Sequence, residues 1–409
     1  MHLDSDLATR TNTPPAQNAG IKLVLILGSL TALGPLAIDM YLPAFPQMAK
    51  DLAVDTGTVQ LTLSVFMAGV SVGQAFYGPL VDRWGRRGPL LVGMAAFSIA
   101  AIGCASARSI GSLLGWRLAM ALGGSASMVI PRAVVRDLFG TQESARVYSL
   151  LMLILGVSPI LAPTLGGQLL AFIGWRSIFV TLAVIGVAIA AAVAWGLPET
   201  LKKENRVKGG VALAVKTYGR LLMDRRFLPL ALSAGCTLGV ILTYLSGSSF
   251  VFMELHHLNA QQYAYVFGFN ALGLIAASQI NQRLLRRYTP RQVLSVAFLV
   301  NAFAGVTLAV IGATGAGGMW GMIALLFACL SGCGIIFPNV AALIMEPFGE
   351  VAGSVSALLG TVQFGVAAGM GALVGFFHNG TAMPMTAGVA VCALAGLAIV
   401  KTSVRWTHA

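Results

Sequence analysis

The chain has 409 residues, 57% of them hydrophobic and 10% charged, where a soluble domain carries about 25% charged residues. Its mean hydropathy of +0.83 exceeds what a soluble protein of this size can hide, so a polytopic membrane protein is expected. The net charge of +12 calls for no nucleic-acid partner, because basic residues gathered on the cytoplasmic side would hold topology and meet anionic lipid.

Residues 1–20 are polar and contain Asp4, Asp6, Pro14 and Pro15; they read as a disordered cytoplasmic tail. A cleaved signal peptide is not expected, since the first apolar run is long and no small-residue cleavage site follows it. That run, IKLVLILGSLTALGPLAIDMYLPAFP at 21–46, opens on Lys22 and is long enough to cross a bilayer core of roughly 30 Å. It carries one carboxylate, Asp39, near its far end. A charged Asp inside a spanning helix costs roughly 2.5–3.5 kcal/mol, so such a residue faces protein or water and has a partner or a task. Pro35 removes a backbone donor and is expected to bend the helix. Two readings follow: Asp39 faces a central cavity as a titratable group, or it caps or hydrogen-bonds near the outer interface.

Further apolar runs predict eleven more spans. In the first half they fall at 57–77, 89–107, 112–136, 144–173 and 176–197, after the first at 21–42. In the second half they fall at 227–252, 261–283, 292–313, 319–343, 351–377 and 382–401. With the N-terminus inside, the cytoplasmic side receives Arg10, Lys22, Arg83, Arg86, Arg87, Arg136, Arg146, Arg283, Arg286, Arg287, Arg291, Lys401 and Arg405. It also receives the middle run of Lys202, Lys203, Arg206, Lys208, Lys216, Arg220, Arg225 and Arg226. Only Lys50, Arg108 and Arg176 fall on the other side, with Arg117 and Arg132 inside spans, and this bias orients the set. Arg132 reads as a snorkelling residue at an inner helix end. The polar segment 198–226 divides two sets of six helices. The expected organisation is a tail at 1–20, a bundle at 21–197, a cytoplasmic linker loop at 198–226, a bundle at 227–402 and a tail at 403–409. Arg pairs recur in short loops of both halves, in GPLVDRWGRRGPLL at 78–91 and INQRLLRRYTPRQVL at 280–294, as in transporters built from repeated bundles.

GPLVDRWGRR at 78–87 is the sharpest motif. Gly78 and Gly85 allow tight turns, and Asp82 sits among Arg83, Arg86 and Arg87. Asp137 lies at the inner end of the fourth span. Asp82, Arg86 and Asp137 are expected to form an inner charge cluster that stabilises an outward-facing state; a plain topology signal is the other reading. The five cysteines, Cys104, Cys236, Cys329, Cys333 and Cys392, all fall inside apolar runs with no metal spacing and read as packing residues.

The loop resembles the G-x-L-a-D-r-x-G-r-k pattern of the major facilitator superfamily. WRLAMALGG at 116–124 resembles that family's fourth-helix R-x-x-Q-G-x-G motif, with Arg117 in the arginine position and Met120 where the family has Gln. LGVSPILAPTLGG at 155–167 resembles the fifth-helix antiporter motif, carried by Gly156, Pro159, Pro163, Gly166 and Gly167. PLAIDMYLPAFP at 35–46 and LPET at 197–200 are similar to the branch of bicyclomycin and chloramphenicol/florfenicol resistance proteins, Bcr/CflA. The resemblance implies an all-α membrane protein of twelve transmembrane helices in two pseudo-symmetric six-helix bundles. It implies alternating access, with proton exchange at Asp39 tuned by Arg117. The depths of these two residues in oppositely running helices agree within a turn. A second reading of Arg117 is an anchor to backbone carbonyls.

The fifth helix, broken by Pro159 and Pro163, is expected to bend and pack tightly. The eleventh, GTVQFGVAAGMGALVG at 360–375, is glycine-rich but lacks proline. Tyr41, Gln60, Gln74, Gln168, Tyr244, Asn270, Asn301, Asn339 and Gln363 are the uncharged polar candidates for a cavity or for interhelical hydrogen bonds. His256 and His257 beside Glu254 read as solvated, with pH sensing as the other use. No phosphate loop, HExxH motif or nucleophile–base pair is present in the sequence, so no enzyme activity, cofactor or metal is expected. The expected function is proton-coupled export of small amphipathic drugs by a single chain in a bacterial inner membrane, with both termini cytoplasmic. A metabolite exporter is the alternative, and a sensor without flux is the reading from another class. Small molecules, protons and lipid are the expected partners; nucleic acid is not.

Overall fold

A computed structural model of the chain describes residues 17–139, 141–201, 204 and 210–404. The expected charges at Arg10, Lys202, Lys203, Arg206, Lys208 and Arg405 lie outside these residues, as do the side chains of Arg136 and Arg146. In chain order the helices are α1 Gln17–Asp39, α2 Phe45–Asp51, α3 Thr56–Trp84, α4 Arg87–Ala105, α5 Ile110–Leu138, α6 Thr141–Phe172 and α7 Arg176–Gly196. They continue as α8 Gly210–Met223, α9 Leu228–Ser249, α10 Ala260–Leu284, α11 Pro290–Thr314, α12 Gly318–Met345, α13 Ala352–Phe376 and α14 Met383–Val404. Among the described residues 12 helices are long and apolar enough to span a bilayer. They are all of these except α2, a short extension of the first span, and α8.

Local sequence explains where the helices begin and end. Asp55 caps α3 by accepting the Thr58 amide at 2.9 Å. Asn259 with Gln262, and Thr289 with Gln292, form reciprocal capping boxes at the starts of α10 and α11. Gly315 ends α11 in the left-handed region at φ +71, where glycine pays no Cβ penalty.

The first six spans pack into one bundle. In it α1 lies against α5, α6 and α7, and both α3 and α4 lie against α5. The last six form a second bundle in which α9 packs on α12, α13 and α14, and α11 on α12 and α14. Two antiparallel seams join the bundles, α3 with α13 and α6 with α10. The α3–α13 seam runs the length of both helices on small side chains. At one end a Cβ on Gly57 would lie 2.7 Å from the Gly375 carbonyl oxygen, and at the other a Cβ on Gly78 would lie 3.2 Å from Ala357. Between them the Ser71 hydroxyl donates to the Thr361 carbonyl at 2.7 Å. Gly85–Arg87 lie at one end of the bundles, the basic end. At the far end the Thr56 hydroxyl donates to Glu254, in the turns that follow α9 of the second bundle, at 2.7 Å.

Two sequence expectations change. Residues 78–84 are not a loop: they complete the last two turns of α3, and only Gly85 and Arg86 turn the chain. The glycine that turns is Gly85, at φ +93. Gly78 instead lets α13 come close. The linker at 198–226 also holds a helix, α8, that its polarity concealed.

Candidate functional site

The first span ends at Asp39, and the chain tightens through a 3-10 turn at Leu42–Ala44 before α2. A helix end leaves its last carbonyls without intrahelical donors. Arg117 on α5 fills that gap: its Nη1 donates to the Ala37 carbonyl at 3.1 Å. The guanidinium is fully buried. Its central carbon sits 4.2 Å from the ring centre of Tyr41, 4.2 Å from Phe66 and 5.8 Å from Phe179. Three aromatic faces and the negative end of a helix dipole thus hold a cation that has no carboxylate partner among the described residues. Its Nε and Nη2 remain without hydrogen-bond partners there.

Asp39 stands two residues on, roughly 200° round the helix from Ala37. It is 5% exposed. It accepts no hydrogen bond and meets no cation within salt-bridge distance among the described residues. Its carboxylate is within electrostatic reach of two phenols of the second bundle, Tyr244 on α9 and Tyr263 on α10. The Tyr244 hydroxyl accepts the Asn270 side-chain amide at 3.1 Å. Its ring stacks on Phe267 at 5.7 Å between centres. Tyr263 shares a hydrogen bond with Ser248 at 2.9 Å. The buried Asn270 Oδ1 has no partner among the described residues. The turn that follows Asp39, Leu42–Ala44, packs against α9 and α10, the two helices that carry this polar aromatic cluster.

Tyr263 was not among the sequence candidates. It lies four and seven residues before Phe267 and Asn270, so one helix face carries all three. That spacing was the signal available.

Asp39 and Arg117 sit at one depth, as expected, but no ion pair joins them; the arginine holds the backbone of the aspartate's helix. Tyr41 is not presented to a cavity. It is fully buried under Arg117, edge-on to Phe45 at 5.1 Å between centres, with its hydroxyl 3.3 Å from Thr62. Gln60 is buried, Gln168 is exposed near the far end of α6, and Gln363 is half-buried on α13. Asn301 and Asn339 bridge helices, donating to the Cys329 carbonyl at 3.2 Å and to Asn281 at 2.7 Å. Gln74 is buried on α3 against Gly360. Arg132 is exposed.

The fifth-helix motif supports the end of α1. A Cβ on Gly166 would collide with the Met40 carbonyl, the residue after Asp39. Gly156 and Gly167 face the second bundle instead, with Cβ clearances of 3.4 Å to Ile275 and 3.7 Å to Ala260. Pro159 and Pro163 lie within α6, which runs through them.

At the basic end Arg86 is buried and joins two acids. It donates through Nη1 to Asp82 at 2.7 Å and through Nε to Asp137 at 3.0 Å. Thr200 also donates to Asp137, at 3.2 Å. Arg87 reaches the Ala194 carbonyl of α7, and Arg83 is exposed. Glu199, which stands in the LPET motif but is given no role by the sequence, completes the cluster. It accepts the backbone amides of Arg86 at 2.8 Å and Arg87 at 3.3 Å, at the start of α4, where a helix offers unpaired donors and a positive dipole end. All of these residues belong to the first bundle and the segment that leaves it.

The chain resembles known transporters along most of its length. The profile of the Major Facilitator Superfamily matches residues 27–372. An uncharacterized MFS-type transporter, YdgK, of Bacillus subtilis is 36% identical over 93% of this chain and 95% of its own. A bicyclomycin resistance protein homolog of Haemophilus influenzae is 30% identical over 92% and 94%. A chloramphenicol resistance protein of Pseudomonas aeruginosa is 31% identical over 84% and 81%. Among solved structures, a peptide transporter, POT, in complex with sulfate superposes with a TM-score of 0.73 at 14% identity, covering 95% of this chain and 94% of that one. With its twelve spans in two bundles and its kinship to these resistance proteins, the chain belongs to the major facilitator superfamily, in the Bcr/CflA branch, and is a multi-pass membrane transporter.

Proposed function

We propose that the chain exports small amphipathic drugs, of amphenicol or bicyclomycin-like character, in exchange for protons across a bacterial inner membrane. The observation that carries this reading is Asp39. An acid with no cation partner among the described residues stands at the end of α1, where the turn that follows it meets α9 and α10 of the second bundle. An ionised carboxylate buried without a partner is costly, so loading a proton there and wetting the site from alternate sides would couple proton entry to cargo exit. The names of the resistance relatives support drugs as the cargo.

In this scheme Arg117 fixes the end of α1 and thereby the place of Asp39. Gly166 makes room for that end, and Pro159 and Pro163 give α6 its weak points. The Asp82–Arg86–Asp137 cluster, with Glu199, keeps the basic end of the first bundle rigid while the bundles rock. Both termini and the linker lie in the cytoplasm, the bundles span 21–197 and 227–402, and a single chain suffices.

The test is flux in proteoliposomes under an imposed pH gradient, with chloramphenicol as probe. The wild type should accumulate probe against its gradient when the gradient is applied. Asp39→Asn should abolish that response while the protein stays folded and monodisperse. Normal pH-driven accumulation by the Asn variant removes Asp39 from the coupling.

A further inference from the structure

The linker helix α8 lies against α3 of the first bundle and against α13 and α9 of the second. Its Leu221 and the following Phe227 are buried in the apolar cluster formed at the basic end by Leu294, Ile344 and Val355. Tyr218, one turn before Leu221, packs against the same cluster, while its hydroxyl reaches across to the first bundle. Its hydroxyl donates to the Ala75 carbonyl of α3, in the first bundle, at 3.4 Å. That carbonyl lacks its helical donor, because the residue four positions on is Pro79, which has no N–H. Beside it stands Gly78, where a Cβ would lie 3.5 Å from the Tyr218 hydroxyl and 3.2 Å from Ala357 of α13. The linker, α3 and α13 therefore converge on one proline gap. Burial, with a contribution from Asp82, pushes the Tyr218 phenol up to about 12, so its hydroxyl remains a donor at physiological pH.

We propose that Tyr218 is a positioning residue that tethers the second bundle, through the linker helix, to the proline gap of α3. The tether acts on the seam between bundles rather than on cargo. It favours the arrangement in which the basic ends of α3 and α13 stay together.

The experiment places spin labels on Trp84→Cys and Gly353→Cys, exposed positions at the basic ends of α3 and α13. All five native cysteines are buried and stay in place. Distances are measured by pulsed electron paramagnetic resonance on the full chain in nanodiscs, without cargo. Tyr218→Phe should move the ratio of near to far populations by about fivefold, the worth of one net hydrogen bond. Pro79→Ala returns an N–H to the Ala75 carbonyl, and in that background Tyr218→Phe should move the ratio by less than about twofold. Unchanged populations in Tyr218→Phe, or an equal shift in both backgrounds, overturn the tether. The distance readout needs no proton coupling, so it stands or falls apart from the role given to Asp39. In flux, Tyr218→Phe should change kcat and leave KM alone; a change in KM alone would put Tyr218 at the cargo site and refute the proposal.

Discussion

Replacing Gly85 with Ala probes how Glu199 secures the start of α4. The backbone at Gly85 has φ +93 and ψ 176, a region that costs a residue with a side chain about 1–3 kcal/mol. A Cβ there would also run into the Glu199 carboxylate. That carboxylate accepts the Arg86 and Arg87 amides, and losing such a cap costs about 1 kcal/mol. Gly85→Ala should therefore destabilise the protein by about 2–4 kcal/mol, and Glu199→Ala by about 1 kcal/mol. In the double variant the collision is gone and the cap is lost once. Its cost should fall short of the sum by about 1 kcal/mol. Glu199→Gln, which keeps an acceptor, should cost less than Glu199→Ala. Equilibrium unfolding of the wild type and these four variants in the same detergent measures all of these. Additivity of the two single changes would refute the reasoning, because it would mean that Glu199 does not stand where a Cβ on Gly85 must go.

Gly166→Ala should destabilise by about 1–3 kcal/mol, since the backbone of Met40 has nowhere to move without displacing the end of α1. Gly167→Ala, with ordinary clearance, should be tolerated, and equal melting temperatures for the two variants would remove the assigned contact. Asp55 gives a pH-dependent outcome. The Thr58 hydroxyl, and then its amide, hold the Asp55 carboxyl below its ordinary value of 3.8. A group lowered in this way stabilises the fold above its unfolded value and loses that effect as pH falls through its native value. Asp55→Ala should therefore melt below the wild type at about pH 6, with the gap closing as the pH falls below the ordinary carboxylate value and through the lowered native one. A constant gap across that range would detach the cap from the charge.

The fold was legible because a bilayer leaves few choices. Backbone polar groups in hydrocarbon must be paired within the segment, so apolar runs of sufficient length are helices, and charge bias suggests their order across the membrane. Side-chain direction at a helix end is another matter. Asp39 and Arg117 could be picked from sequence as rare intramembrane charges, but their separation depends on where α1 stops. Because it stops at Asp39, the following turn carries Tyr41 back beneath the guanidinium and leaves the Ala37 carbonyl as the nearest acceptor. Glu199 was hidden for a similar reason. Its partners are backbone amides 113 and 112 residues away in sequence, which no side-chain pattern reveals. The linker helix did leave a trace, since Ala214, Tyr218 and Leu221 recur at helical spacing, but the surrounding lysines and arginines drew attention to topology instead.

The seam between α3 and α13 has a mechanical consequence. Glycine, alanine and serine line much of it, so two nearly smooth rods meet with little interlocking of side chains. Such a surface offers low friction to rolling and leaves the resistance to motion to a few polar fasteners, one of them the Ser71–Thr361 bond midway along it. Turnover speed could then be tuned one methyl group at a time along the rods, without touching either cargo or proton chemistry.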